Sequence, residues 1–177
     1  MTKSSSGNLL YRASRDGFTT KVFHDKCDYR ENTVTIIKSN FNHVFGGFTS
    51  AKWDLNRLFI KDSNAFLFSL RRNGSLSNQK FKVTKPDFAL RGAQFENRNY
   101  SLYGPTFGGG YDVYIRNSSN NYLKDQLDGY TPCYSNFGHS YELPPGYTYG
   151  SIDTKSYLAG AYINWFTTEI EVYQVFF

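Results

Sequence analysis

Residues 33–49 read TVTIIKSNFNHVFGGFT, and this stretch decides the fold class. Its first part, Thr33 to Lys38, is rich in β-branched residues, which favour extended strands. Its last part, Val44 to Thr49, resumes the apolar pattern after a short turn rich in asparagine. The stretch therefore predicts an antiparallel β-hairpin whose second strand contains Gly46 and Gly47.

More strands are predicted on the C-terminal side of this hairpin. Ala65 to Leu70 forms one, and Phe81 to Val83 resumes after an Asn73-Gly74 turn. Later candidates are residues 93–95, 102–103, 112–115 and 168–175. Short strands separated by Gly, Asn and Pro turns predict an α+β, mainly β fold. In this fold two antiparallel sheets pack as a β-sandwich with flanking short helices.

One amphipathic helix is predicted before the hairpin, over residues 15–26. Ser14 stands where a helix N-cap belongs, and Asp16 lies in the first turn, where the helix dipole favours a carboxylate. Val22 and Phe23 then fall on one apolar face. The helix is expected to lie on the flank of the sandwich.

The chain length of 177 residues fits one domain. Residues 1–8 are small and polar and predict a flexible tail, and residues 9–177 predict a single folded domain. No apolar run approaches the roughly 20 residues that a membrane-spanning helix needs, and no signal-peptide pattern follows the N-terminus. We therefore expect a cytoplasmic protein in which Cys27 and Cys133 are free thiols.

The net charge of +5 arises from scattered lysines and arginines, of which Arg71-Arg72 is the densest pair. No segment interleaves basic and aromatic residues as an RNA-binding strand does. We therefore expect a solubilising surface charge, no nucleic-acid partner, and a monomer.

Several stretches resemble the signatures of TLDc domains. The opening signature is matched by Leu10 to Phe18 (LYRASRDGF) and by Phe23 to Asp28 (FHDKCD). The FGGFT turn with Trp53, the FLFSL strand, the FGGGYDVYI segment and the closing EIEVY strand follow in family order. The resemblance spans about residues 9–177.

This resemblance implies a stand-alone β-sandwich interaction module that is not an enzyme and needs no cofactor and no metal. Proteins of the family act in oxidative-stress resistance. Several of them bind the peripheral sector of the vacuolar-type proton ATPase and regulate its assembly, so that pump is the expected protein partner. The candidate partner-binding or signature residues are Ser14, Arg15, Asp16, Gly17, Gly46, Gly47, Trp53, Gly108, Gly110, Asp112, Glu169 and Glu171.

Glu169 and Glu171 lie two residues apart on a predicted strand, so their side chains share one face about 7 Å apart. Two carboxylates at that spacing suit a small hydrolase of the glycosidase type. Neighbours on one strand rarely flank a bond from opposite sides, however, so a structural role is favoured. Because the resemblance places Arg15 and Glu171 in signatures, and a guanidinium suits a carboxylate, we expect these two residues to pair.

Ser14, Asp16 and His24 offer a second hydrolase site, with the nucleophile, acid and base of a catalytic triad. Their positions on the predicted helix argue against it, since Ser14 would be the N-cap and His24 would lie more than two turns away. The capping interpretation is favoured.

His24, Cys27 and Asp28 have a spacing that places three metal-ligand types on one helical face. Structural zinc normally takes four ligands, and only Cys133 and His139 offer further candidates, so no metal site is expected. A redox role for Cys27 stays open because its charged neighbours oppose one another in their effects on the thiol.

Gly108 to Gly110 resembles a phosphate-binding loop in composition, but it leads into a strand and not into a helix. We therefore expect a close backbone crossing at a corner of the sandwich.

The aromatic segment 130–149 is too irregular for a strand pair and predicts a long ordered loop. Its tyrosines suit a protein interface, and a carbohydrate-binding β-sandwich is the alternative, in which exposed tyrosines would stack on sugar rings. The loop-interface candidates are Tyr134, Tyr141, Tyr147 and Tyr149.

Overall fold

A computed structural model describes residues 6–92, 103–121 and 133–177 of the chain. The predicted strand at residues 93–95 lies outside the described residues, as does Leu102. The strands are β1 (Ser6–Arg12), β2 (Thr33–Ser39), β3 (Val44–Thr49), β4 (Phe59–Ile60), β5 (Phe66–Arg72), β6 (Ser75–Lys82), β7 (Leu90–Arg91), β8 (Tyr114–Ile115), β9 (Cys133–Tyr134) and β10 (Thr167–Phe176). The helices are α1 (Ala13–Asp16), α2 (Thr20–Cys27) and α3 (Ile152–Ser156), with a 3₁₀ turn at Pro86–Phe88.

The main layer is a six-stranded antiparallel sheet in the order β1-β10-β2-β3-β5-β6. The predicted hairpin is confirmed, with Thr33 paired to Thr49 across β2 and β3. The Asn73-Gly74 turn joins β5 to β6, and both residues have positive φ, as a two-residue hairpin turn requires. Two-stranded sheets, β4 with β7 and β8 with β9, complete the mainly β fold, so the predicted fold class is confirmed.

The core lies on one face of the six-stranded sheet. Buried side chains alternate along its strands, as the two-residue period of a strand dictates. Trp165 packs edge-on against Phe45, and Phe107 packs edge-on against Trp53. The sheet is therefore covered on this face by segments that follow β6 in the chain.

The predicted helix over residues 15–26 is wrong in its extent, because two short helices occupy that region. The chain turns at Gly17, whose φ of +107° belongs to the region that favours glycine, and this ends α1. Thr19 is the N-cap of α2, since its side chain accepts a hydrogen bond from the Val22 N–H. Ser14 lies inside α1 and is not an N-cap.

The sequence analysis predicts no strand before the hairpin, but the structure has one at the N-terminal side. β1 starts at Ser6, and Ser6 pairs with Phe176 at the end of β10. Residues 6–8, which the composition assigns to a tail, therefore belong to the edge of the main sheet.

Candidate partner-binding site

The two glutamates of the closing strand lie on the same face of β10, as predicted. Ile170 and Val172, which alternate with them, are buried in the core. Glu169 and Glu171 therefore point away from the core, toward the region where β1 passes into α1.

Glu169 holds the first turn of α1 against β10. The Ser14 N–H donates to Glu169 Oε1 at 3.0 Å, and the Ser14 hydroxyl donates to Oε2 at 2.5 Å. A carboxylate at the start of a helix satisfies N–H groups that lack partners within the helix. The carboxylate thus does for α1 what an N-cap side chain does, but from a strand distant in sequence.

Glu171 pairs with Arg12 and not with Arg15, so the predicted Arg15–Glu171 pair is wrong. Arg12 lies directly opposite Glu171 in the β1–β10 register, and its Nε and Nη2 both lie 2.7 Å from Glu171 Oε1. Tyr173 donates its hydroxyl to Glu171 Oε2 at 2.8 Å, and this bond raises the pKa of Tyr173. Choosing correctly between the two arginines requires the strand register, which the sequence does not state.

Arg15 instead forms a two-bond contact with its neighbour Asp16. Its Nε and Nη2 donate to the two carboxylate oxygens at 3.0 and 2.8 Å. The Arg12 N–H and the Lys26 ammonium also approach this carboxylate, at 3.0 and 3.5 Å. The Arg15 hydrogen bonds are the main cause that holds the pKa of Asp16 well below its usual value.

The charges of this region form two layers. The side chains of Asp16 and Glu171 are 11% and 21% exposed, whereas those of Arg12, Arg15 and Lys26 are 42%, 50% and 39% exposed. The acids lie beneath and orient the cations, which face solvent. We call the following residues the signature cluster: Arg12, Ser14, Arg15, Asp16, Lys26, Glu169 and Glu171.

The proposed catalytic triad is not assembled. The buried His24 uses both ring nitrogens elsewhere, with Nδ1 2.7 Å from Asp28 Oδ1 and Nε2 2.8 Å from the carbonyl oxygen of Tyr103. Ser14 and Asp16 are engaged with Glu169 and with Arg15. His24 therefore supplies no base to the Ser14 hydroxyl.

Cys27 is buried in the core and has no disulfide partner. Burial raises the pKa of its thiol, so the thiol stays protonated and is a poor nucleophile and metal ligand. Within the described ranges, no group of three His, Cys, Asp or Glu side chains is arranged to hold a metal ion.

The glycines of the hairpin and of the FGGGYDVYI segment permit close packing. A Cβ on Gly46 would overlap the carbonyl oxygen of Thr35, and one on Gly47 would lie 2.5 Å from the ring of Phe107. A Cβ on Gly110 would overlap the ring of His139. These are crossings of backbone and core, as the corner interpretation expects.

Asp112 is an internal anchor. It is fully buried, and its carboxylate accepts hydrogen bonds from the N–H groups of Gly138 at 2.9 Å and Ser140 at 3.0 Å. Burial outweighs these bonds and raises the pKa of Asp112 to about 7. A Cβ on Gly108, which has a φ of +83°, would overlap this carboxylate. Asp112 and Gly108 are therefore inaccessible to a partner.

Trp53 has a similar internal role, since it is buried and donates its indole N–H to Thr33 Oγ1 at 2.9 Å.

Asp62 is a buried anchor that the sequence analysis does not predict. Burial alone would raise its pKa, but hydrogen bonds from Thr49 and Ser50 outweigh that effect and lower it. The sequence signal is a pair of hydroxyl residues, Thr49 and Ser50, at the end of a predicted strand.

The tyrosines at positions 134, 141, 147 and 149, within the described part of the aromatic segment, do not form an exposed row. Tyr141 is buried and donates its hydroxyl to the carbonyl oxygen of Ala89 at 2.6 Å, so its assignment to an interface is wrong. Tyr147 packs edge-on against Tyr157. Tyr149 is half exposed, and Tyr134 is partly buried. A row of tyrosines stacking on a sugar is therefore not present among these residues.

Two surface pockets have volumes of about 510 and 440 Å³. The first lies between Arg72, the loop at Tyr147 and α3, and the second lies beside Tyr29 and Asp54. Neither is lined by Ser14, Glu169 or Glu171, so neither joins the groups of the hydrolase hypotheses. Among the described residues, no helix is long and apolar enough to cross a membrane.

Fold and site together define a class: a mainly β domain in which signature acids orient surface cations. The chain belongs to the TLDc domain family, whose pattern it matches over residues 2–176. Over 67 residues, or 38% of the chain, it is 31% identical to the MTOR-associated protein MEAK7 of Danio rerio. Over 62 residues, or 35% of the chain, it is 31% identical to the Homo sapiens protein of that name. The matched segments span 15% and 14% of the length of these relatives.

Proposed function

We propose that this domain is a non-catalytic interaction module that binds a protein partner through the cations of the signature cluster. The observation that carries the proposal is the layered arrangement of charge, in which Asp16 and Glu171 fix Arg15 and Arg12 at the surface. Pre-oriented guanidinium groups lose little freedom on binding and recognise carboxylates in a defined geometry. The partner surface is therefore expected to be acidic.

The proposed partner is the peripheral sector of the vacuolar-type proton ATPase, in keeping with the family to which the chain belongs. In this proposal the domain acts in the cytoplasm as a monomer and contributes to oxidative-stress resistance by regulating the pump. Glu169 and Ser14 would support the site indirectly, because they fix α1 to β10.

Association with mTOR is a second candidate function. It is favoured by the similarity to the two MEAK7 proteins, which are described as MTOR-associated. Because the aligned segment is a small part of those proteins, the mTOR contact need not reside in it.

Binding of the purified peripheral sector of the pump to the immobilised domain tests the proposal. We expect Arg12→Ala/Arg15→Ala to weaken binding by roughly tenfold or more, since removal of two interfacial cations costs more than about 1.4 kcal/mol. Lys61→Ala is the matched control, because Lys61 forms a comparable exposed ion pair with Asp87. Melting temperatures of both variants show whether the fold is intact.

Equal affinities of the wild type and the double variant would contradict the proposed site. Absence of binding by the wild type would remove the pump as partner, and the same immobilised proteins would then be tested with purified mTOR.

A further inference from the structure

On its central strands β2, β3 and β5, the six-stranded sheet is apolar on both faces, whereas the outer face of β10 and β6 carries charged residues such as Glu171 and Lys80. Its core face carries buried residues such as Ile37 and Leu67. The opposite face carries the residues that alternate with them, and register places Val34, Phe48 and Phe66 in one row and Ile36, Gly46 and Phe68 in the next. We call Val34, Ile36, Phe48, Phe66 and Phe68 the outer face.

An antiparallel sheet with one open face normally alternates apolar and polar side chains. A sheet that is apolar on both faces needs a covering layer on each, and helices commonly supply that layer. In the described part of the chain, the helices contact chiefly β1 and β10. The outer face on β2, β3 and β5 therefore has no helical layer over it in the described part of the chain, although the ring of Phe177 packs edge-on against Phe48, with centroids 6.1 Å apart.

The side chains of the outer face form a flat aromatic surface. The rings of Phe48 and Phe66 are stacked with centroids 5.1 Å apart and planes 23° apart. Phe68 lies over Gly46, where a Cβ would come within 2.9 Å of its ring. Rigid aromatic side chains lose little entropy on contact and are frequent anchors in interfaces.

Basic residues border this surface. Lys38 on β2 and Lys80 and Lys82 on β6 are exposed, and none of them belongs to a salt bridge of the described residues. The Lys80 ammonium lies 3.9 Å from the centroid of the Phe66 ring, on the apolar surface itself. A ligand that covers the aromatic rings thus meets the Lys80 and Lys82 ammonium groups at the β6 edge, where the Glu142 carboxylate accepts a hydrogen bond from the Lys82 backbone N–H at 3.0 Å.

We propose that the outer face binds an amphipathic helix of a partner protein, with an apolar stripe and acidic residues along the side that faces Lys80 and Lys82. The apolar stripe has the i, i+3, i+4, i+7 spacing of helices that bind in this way. The inference rests on the proposed function only in assuming a protein partner, and it does not depend on which protein that is.

Two other occupants fit the surface less well. A membrane would favour side chains that protrude into the lipid, whereas the rings of Phe48 and Phe66 stack on each other and the ring of Phe68 packs close to Gly46. A second copy of this chain would bring the same lysines to the interface, and like charges placed together oppose association. The carboxylates on the same face, Glu169 and Glu171, are already engaged by Ser14 and Arg12.

Two designed helical peptides with the same leucine stripe test the proposal, one with glutamates and one with lysines along the flank. Amide NMR shifts of the whole chain report where each peptide binds. We expect the glutamate peptide to shift β2, β3 and β5 and to bind at least about tenfold more tightly than the lysine peptide. Phe68→Ala and Lys80→Glu/Lys82→Glu should each weaken it by roughly five- to tenfold, and Lys61→Glu should not.

Equal binding of the two peptides, or shifts confined to other surfaces, would overturn the proposal. The proposal would also be overturned if the chain bound phosphatidylserine-containing vesicles more strongly than phosphatidylcholine vesicles and Phe68→Ala abolished that binding. A dimer detected by sedimentation and dissociated by Phe68→Ala would overturn it as well. The peptides contain no pump sequence, so the two proposals can fail separately. If the wild-type chain binds the pump but not the glutamate peptide, only this inference is overturned. If it binds the glutamate peptide but not the pump, only the pump is excluded as partner.

Discussion

Asp16 and Asp112 both belong to stretches that match the family signatures, yet they lie in opposite surroundings. Asp16 lies near the surface, where Arg15 and Lys26 face its carboxylate and its pKa is held below the usual value. Asp112 is fully buried, where its donors are backbone N–H groups, and burial raises its pKa to about 7. The Asp16 carboxylate is therefore stabilised by neighbouring cations, whereas the Asp112 carboxylate is stabilised only by the dipoles of hydrogen-bond donors.

The difference separates two reasons for an acid to occur in a signature. Asp16 orients cations that a partner can reach, so its proposed contribution is to recognition. Asp112 joins residues 138–140 to the corner that begins at Gly108, so its contribution is to the fold. Signature membership alone does not distinguish these roles, but the surroundings of each carboxylate do.

The largest expected effect is that of Asp112→Ala. The substitution leaves the buried N–H groups of Gly138 and Ser140 without acceptors, which should cost roughly 3 to 5 kcal/mol of unfolding free energy. Urea unfolding at neutral pH measures this loss. Asp112→Asn is the control, because it keeps the shape and one acceptor oxygen and should lose about half as much. A loss below about 1 kcal/mol for the alanine variant would show that the loop finds other acceptors.

The two aspartates also predict opposite dependences of stability on pH. Between about pH 4 and pH 7, native Asp112 keeps a proton that the unfolded chain has released, so its contribution to the free energy of unfolding falls as pH rises. Asp16, with a lowered pKa, contributes stability above the unfolded value near 4 and loses it as pH falls further.

Urea unfolding of the wild type and Asp112→Asn across this range isolates the Asp112 contribution. From pH 4 to pH 7, we expect the wild type to lose on the order of a few kcal/mol of unfolding free energy relative to Asp112→Asn. A difference that stays constant with pH would mean that Asp112 does not titrate in this window.

The sequence predicts the central strands of the main sheet because their signals are local. β-branched residues, alternation and the Asn73-Gly74 turn locate β2, β3 and β5 closely. β6 begins at Ser75, well before the predicted Phe81, and β1 is not predicted. The break between α1 and α2 is not predicted, because Gly17 falls inside a run of residues with helical spacing. Its positive φ is set by the turn it makes, where the Tyr11 hydroxyl bonds to its carbonyl oxygen at 2.8 Å.

The site was harder to predict because its contacts join distant strands. Arg12 and Arg15 are equally suitable partners for Glu171 by residue type, and only the pairing of β1 with β10 decides between them. Tyr141 and Tyr149 are likewise the same residue type in the same aromatic segment, and only their burial shows that Tyr141 belongs to the core whereas Tyr149 is exposed. Residue type proposes candidates, and tertiary contacts select among them.

The smallest expected effect, and the one that completes the comparison, is that of Asp16→Asn. The ion pairs it removes lie at the surface, so the loss of unfolding free energy should be about 1 kcal/mol or less, well below that of Asp112→Ala. Salt screens exposed charges, so thermal unfolding at low and high sodium chloride should show this loss shrinking as salt rises. The Asp112 loss should stay constant, because buried N–H groups are not screened. A loss for Asp16→Asn that is large and independent of salt would place Asp16 with Asp112 among the residues that hold the fold.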